Sequence, residues 1–381
     1  MKKIKELFQK ETVLCIAVVL AVISSFVVLP DKEYIGYIDF RTLAILFCLM
    51  CVMAGLQKLG LFQLIAGKLL GRVKKVSQLE EILVLLCFFF SMLITNDVAL
   101  ITFVPFTFTV LKLLGEKQQR KMAIPIVVLQ TIAANLGSML TPIGNPQNLY
   151  FYAKSGLSIG AFLQLMLPYT LVSLALLLIC CIVMGRKEKN TALEIQFFGR
   201  EELTDGRKSL MVYLILFILC LLAVAHILSV WLVLAVVLVA QLMMDREVLK
   251  RVDYSLLLTF VGFFVFIGNM GRIPAFSAFL QSIIGGNEVM TSVVSSQVIS
   301  NVPAALLLSG FTTEYSALII GTNLGGLGTL IASMASLISY KYIGKESEQG
   351  IIGTKGKYLM LFTVANIAFL AVLLITYVVL Q

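Results

Sequence analysis

ITNDVALITFVPF, residues 94–106, decides how this chain folds, because it sets Thr95, Asn96 and Asp97 at the middle of an apolar stretch running from 80 to 113. A carboxylate in the centre of a hydrocarbon layer is costly and rare, and one that occurs there usually marks an ion or proton pathway. Asp97 is the one acidic residue expected so deep, since the other carboxylates fall near loops or span ends. A second apolar stretch, 289 to 313, is interrupted in the same way by Ser300 and Asn301. Both stretches are read as re-entrant hairpins that reach the bilayer midplane and turn back.

Outward from the tips the chain is apolar almost everywhere. Of 381 residues, 59% are hydrophobic and 13% charged, with a mean hydropathy of +0.98, which places the chain in lipid. Segments near the length that spans about 30 Å of hydrocarbon lie at 12–29, 42–57, 122–153, 160–184, 209–227, 229–244, 255–271, 315–340 and 358–380. They are expected to be helices, because lipid leaves an open backbone without hydrogen-bond partners.

Charge orients these nine crossings. With the N-terminus inside, all but Lys32, Arg41, Lys154 and Arg272 of the 30 Lys and Arg residues fall on the cytoplasmic side, and the C-terminus lies outside. If 80–113 were instead one kinked crossing, Lys112, Lys117, Arg120 and Lys121 would move out and every later loop would invert. The net charge of +9 is no nucleic-acid signal, because no basic run interleaves with aromatics. The basic MKKIKELFQK at 1–10 and the apolar run after it resemble a signal peptide, but Pro30 and Asp31 follow without a small-x-small cleavage pattern, so an uncleaved first span in the plasma (cell inner) membrane is expected.

Little in the composition speaks for catalysis. All seven Cys residues lie in apolar segments and read as small hydrophobes, the Cys48-x-x-Cys51 pair included, since no second pair or nearby His accompanies it. His226, the only His, sits near an expected helix end. An intramembrane hydrolase would need a second buried carboxylate, a His or a metal cluster beside Asp97, so no enzyme, no cofactor and no transition metal is expected.

The chain repeats itself. Asp31 and Asp39 precede one apolar span and Asp245 and Asp253 precede another at the same spacing. Each is followed by a short amphipathic piece, a polar-tipped hairpin, an Asn-Leu-Gly element and a final span. The extra span at 209–227 turns the second copy upside down. The expected division is a first repeat over 1–208 (hairpin 80–113, broken helix 122–153, span 160–184, cytoplasmic loop 185–208), a linking span over 209–228, and a second, inverted repeat over 229–381 (hairpin 289–313, broken helix 315–340, span 358–380). Inverted repeats with helices broken at matching positions point to a midplane binding site of a secondary transporter.

The residues at these interruptions suit ions. Thr95, Asn96, Asp97, Ser300 and Asn301 offer the oxygens that sodium prefers, or a carboxylate that a proton can occupy, and the sequence does not choose between H+ and Na+ as coupling ion. Gly137, Pro142, Gly144 and Pro146 in one element and Gly321, Gly325, Gly326 and Gly328 in its partner break the helix, through missing donors and backbone freedom. The half-helix N-termini so exposed suit an anion, and Asn135, Thr141, Asn145, Asn148, Thr322, Asn323 and Thr329 add side-chain hydrogen bonds. No Lys or Arg occurs in a hairpin core or a broken element, so a small mono- or divalent anion, carboxylate or neutral metalloid acid is the expected solute.

ITNDVALITFVPF (94–106), ANLGSMLTPIGNPQNLY (134–150), SNVPAALLL (300–308) and GTNLGGLGTLIASMASLISYK (321–341) together resemble the ion transporter superfamily, which includes divalent-anion/sodium symporters, citrate transporters and arsenite efflux permeases. The resemblance implies an elevator mechanism, in which hairpins and broken helices form a mobile domain against a scaffold, commonly as a homodimer. In the dicarboxylate branch the tips read Ser-Asn-Thr and hold sodium. Here Thr95-Asn96-Asp97 and Ser300-Asn301-Val302 both depart at the third position. The Asn-Asp tip is similar to the arsenite permease pattern, which favours a proton. A channel is one alternative, separated by whether flux is saturable and driven uphill, and a cation/proton antiporter, which uses the same oxygen ligands but needs no anion, is the other.

Overall fold

The computed structural model describes residues 11–186, 206–348, 350 and 352–381. Residues 1–10 and most of the expected cytoplasmic loop at 185–208 therefore lie outside the described residues. The first half of the chain forms α1 (Thr12–Val27), α2 (Glu33–Tyr37), α3 (Phe40–Lys58), α4 (Leu61–Leu70), α5 (Val76–Phe90), α6 (Asn96–Leu113), α7 (Glu116–Ser138), α8 (Pro146–Ser155) and α9 (Ile159–Gly185). The second forms α10 (Gly206–Val224), α11 (Val230–Met244), α12 (Arg246–Leu249), α13 (Tyr254–Gly271), α14 (Pro274–Ile284), α15 (Glu288–Ile299), α16 (Asn301–Ser309), α17 (Tyr315–Leu324), α18 (Met334–Glu348) and α19 (Lys355–Leu380). From α2 to α9 and again from α12 to α19 the succession of short, long and paired helices is the same.

Seven of these helices, α3, α6, α7, α9, α10, α13 and α19, are long and apolar enough to cross a membrane. That differs from the nine expected crossings. With 16 and 15 residues, α1 and α11 are only about 24 Å long at ~1.5 Å per residue. The stretch 122–153 is two helices, α7 and α8, parted at 139–145, and 315–340 is likewise α17 and α18, parted at 325–333. Within 80–113, α6 alone has 18 residues, enough to span, although it was expected as one limb of a hairpin.

Capping explains where the long helices begin. Asp39 accepts the Thr42 N–H at 3.0 Å to start α3, and Asp253 accepts the Leu256 N–H at 2.9 Å to start α13. The two aspartates that recur in the sequence thus do the same local work. Gly137, expected at a helix break, instead lies inside α7: a Cβ there would sit 2.0 Å from the Phe88 carbonyl oxygen, so its bare backbone lets α5 and α7 touch. Gly328 does belong to a break, with φ at +115 and the Gln297 Oε1 2.1 Å from where a Cβ would stand.

At the centre lies α7, almost wholly buried between α5, α6, α18 and α19, whereas α10 and α19 turn most of their surface outward. Phe26 on α1, Trp231 and Met243 on α11, and Met360 and Val379 on α19 are all exposed, as hydrocarbon solvent favours. The leading helix of each half packs on the long helix of the other: α1 lies along α13, where Asn269 Nδ2 donates to Ser24 Oγ at 3.0 Å, and α11 lies along α3. All seven cysteines are free thiols.

Candidate functional site

Each polar tip is seated on the helix break of its own half. Residues 91–95 turn the chain from α5 to α6, Thr95 Oγ1 accepts the Val98 N–H at 3.4 Å, and the Asn96 N–H donates to the Gly144 carbonyl at 3.1 Å. In the second half a single residue, Ser300, separates α15 from α16. Its φ is +78, a left-handed conformation seldom adopted by a side-chain-bearing residue. The Asn301 N–H there donates to the Ala332 carbonyl at 2.9 Å. Both asparagines accept the next residue's N–H on Oδ1 at 3.0 Å, from Asp97 and from Val302. One tip therefore carries a carboxylate where the other carries an isopropyl group.

Between the two breaks runs a chain of buried amides. Asn96 Nδ2 donates to Asn135 Oδ1 at 3.0 Å, which also accepts from Ser333 Oγ at 3.0 Å, and Asn135 Nδ2 reaches the Gly326 carbonyl at 3.4 Å. Asn145, the N-cap of α8, donates to Asn323 Oδ1 at 3.0 Å, and Asn323 Nδ2 returns a bond to Asn148 Oδ1 at 2.6 Å. Asn148 Nδ2 then satisfies the carbonyls of Ser138, Met139 and Thr141, the groups orphaned where α7 stops. A buried network of this kind is rigid because each donor lost would leave a desolvated partner behind.

Beside the first tip opens a cavity of about 150 Å³. Thr95 and Asp97 face it from the tip, Asn145 and Pro146 from the start of α8, and Gln57 from α3, so the N-terminal ends of α6 and α8 share its wall. Asp97 Oδ1 is buried and has no hydrogen-bond partner among the described residues. The remaining polar lining comes from Arg251 and Asp253, both exposed, in the loop between α12 and α13.

The expected site residues are thus divided. Asn96, Asn135, Asn145, Asn148 and Asn323 meet in the amide chain, and Thr95, Asp97 and Asn145 meet at the cavity. Ser300 and Asn301 sit on the second tip and do not line it. Thr322 donates to Leu318 within its own helix at 2.7 Å, Thr141 donates to the Met92 carbonyl, and exposed Thr329 donates to the Gln297 carbonyl at 3.1 Å. Of the breaking residues, Pro142 and Gly144 lie in the first loop, Pro146 opens α8, and Gly325 caps the end of α17.

Arg251 was not among the expected residues; it lies outside both hairpins and both broken elements and reaches the cavity from a loop that looks like ordinary surface charge. Gln57, whose Nε2 donates to Thr102 Oγ1 at 3.1 Å, also escaped notice, as did Gln147, fully buried with both amide atoms unpartnered among the described residues. The signal for Gln147 was its place two residues after the α8 cap. The signal for Asp253 was its recurrence with Asp39.

A multi-pass helical membrane protein with polar turns and broken helices beside a cavity of about 150 Å³ belongs to the class of membrane transporters. The chain is a member of the citrate transporter family, which it matches over residues 5–317. It is 31% identical to inner membrane protein YbiR of Escherichia coli, over 84% of either chain, and 32% identical to an uncharacterized transporter of Methanocaldococcus jannaschii, over 82% of this chain and 84% of that one. A silicon efflux transporter of rice, LSI3, is 32% identical over 42% of this chain and 32% of its own length.

Proposed function

We propose that this protein is a secondary active transporter that moves a small anion or oxyanion, with Asp97 carrying the coupling proton. The observation that carries this reading is the buried, unpartnered Asp97 Oδ1 at a cavity walled by two helix N-termini. Such a carboxylate is stable there only when a proton or cation neutralises it, and the positive dipole ends of the two helices beside it suit an anion. Two oppositely oriented repeats, each with a re-entrant hairpin and a broken helix, supply the alternating access.

Three ion pairs and one hydrogen bond support the expected orientation. Arg272 bonds Asp31 at 2.7 Å, and Arg41 bonds His226; all four belong to the assigned outer side. Lys58 bonds Asp245, and Lys112 bonds Glu346 at 3.1 Å; these four belong to the cytoplasmic side. The cavity, with Arg251 and Asp253 at its mouth, then faces the cytoplasm. Because the family is named for citrate and one relative for silicon, the solute class spans carboxylates and weak oxyacids.

The test is uptake into proteoliposomes of arsenite, silicic acid, sulfate, succinate, citrate and sodium under imposed pH and sodium gradients. Saturable uphill flux of one of the first five, driven by the pH gradient and uncoupled in Asp97→Asn, is the expected result. Asp97→Asn protein with unchanged pH-driven flux would remove Asp97 from the coupling role. Large ohmic currents would make the protein a channel.

A further inference from the structure

We propose that Arg251 and Asp253 set the net charge of the cavity, so that an anion binds only when Asp97 carries its proton; this rests on the reading of the cavity as the solute site. Among the side chains that line it, Asp97, Arg251 and Asp253 are the only charged ones. Arg251 makes no ion pair among the described residues, so its charge is available to the cavity. Asp253 is held at the mouth by its bond from the Leu256 N–H at 2.9 Å, and Asp97 lies further in with a buried oxygen.

The consequence follows from charge alone. With Asp97 ionised, two carboxylates outweigh one guanidinium, and an incoming anion is repelled in a space poorer in water than the bulk. With Asp97 protonated, Asp253 and Arg251 cancel, and the net repulsion of an anion is lifted. Proton and anion thus favour each other's binding, and by reciprocity the bound anion holds the proton on Asp97. The two travel together on one carboxylate, and the second tip, with Val302 in the matching place, adds no further proton. An uncharged solute is indifferent to this balance.

Two near-isosteric substitutions move the balance in opposite directions. Asp253→Asn removes one negative charge while Asn still caps α13, and Arg251→Gln removes the positive one. Solute exchange, which needs no driving gradient, is measured in proteoliposomes between pH 6 and pH 8, with radiolabelled succinate, sulfate and arsenous acid. KM is read because loss of folded protein lowers only the maximal rate.

For the anions we expect Asp253→Asn to lower KM by about three- to tenfold and to flatten its pH dependence. Arg251→Gln should raise KM by a similar factor, with Arg251→Lys restoring it, while the KM for arsenous acid moves less than about twofold. Shifts of the same sign in both variants, no shift in either, an unflattened pH profile in Asp253→Asn, or a wild-type protein that exchanges arsenous acid alone would each overturn the charge-balance proposal. A wild-type protein that exchanges none of the solutes would overturn the transport reading beneath it.

Discussion

Asn145 Nδ2 lies 3.0 Å from Asn323 Oδ1, a bond between residues 178 positions apart that joins the helix break of one half to the helix break of the other. Asn323 answers with its own donor to Asn148 at 2.6 Å. The loops that interrupt α7–α8 and α17–α18 are therefore one connected structure, and rearrangement of either is felt by both.

Truncating that connection has a direct cost. Asn323→Ala leaves Asn145 Nδ2 and Asn148 Oδ1 buried without this partner, a loss of about 1–3 kcal/mol per desolvated group. The variant should melt several degrees below wild type in detergent, by fluorescence-monitored unfolding, and should lose transport. An unchanged melting temperature would mean that the amide chain is not a stabilising element.

Gly137 and Gly36 make a matched pair. A methyl group on Gly137 would meet the Phe88 carbonyl at 2.0 Å, whereas nothing stands within 4 Å of one on Gly36. Gly137→Ala should force α5 from α7 and destabilise by about 1–3 kcal/mol, read as a lower melting temperature and a reduced monodisperse yield. Gly36→Ala should match wild type in both.

Arg272 holds the carboxyl of Asp31, between α1 and α2, below its ordinary range, chiefly through the 2.7 Å hydrogen bond. A depressed folded-state value contributes stability that is present above the unfolded value and lost as pH falls through the folded one. The melting-temperature deficit of Asp31→Asn should accordingly be flat from pH 8 to pH 5 and shrink only in stronger acid. Because the pair is open to water, raised salt should shrink the deficit as well. A deficit that grows on acidification would contradict the assignment.

Orientation is open to chemical labelling. With the seven native cysteines replaced by serine, an impermeant maleimide should reach Lys154→Cys in intact cells and Lys117→Cys only after permeabilisation. Labelling of Lys117→Cys in intact cells and of Lys154→Cys only after permeabilisation would invert every loop after α6.

The tips and breaks were legible in the sequence because polar residues stand out along an apolar run: Thr95, Asn96 and Asp97 interrupt one, and Ser300 and Asn301 another. The amide partnerships were half legible. Asn145 and Asn323 were singled out as hydrogen-bonding residues, but their mutual bond depends on how α8 meets α17, which no one-dimensional spacing encodes. Gly137 read as a break because it precedes Pro142 and Gly144, yet α7 continues through it and uses it for contact with α5. Arg251 and Asp253 were the hardest, since charges in a loop after a membrane helix are common and only the folded chain brings that loop to Asp97's cavity.

The exchange of leading helices has a bearing on how the protein is made. Ser24 waits for Asn269, 245 positions later, and α3 waits for α10 and α11. A ribosome that stopped near residue 208 would leave α1 and α3 inserted without their mates, prey for quality-control proteases. Two fragments translated from separate messages and divided there should rescue one another, because each supplies the helix that the other lacks.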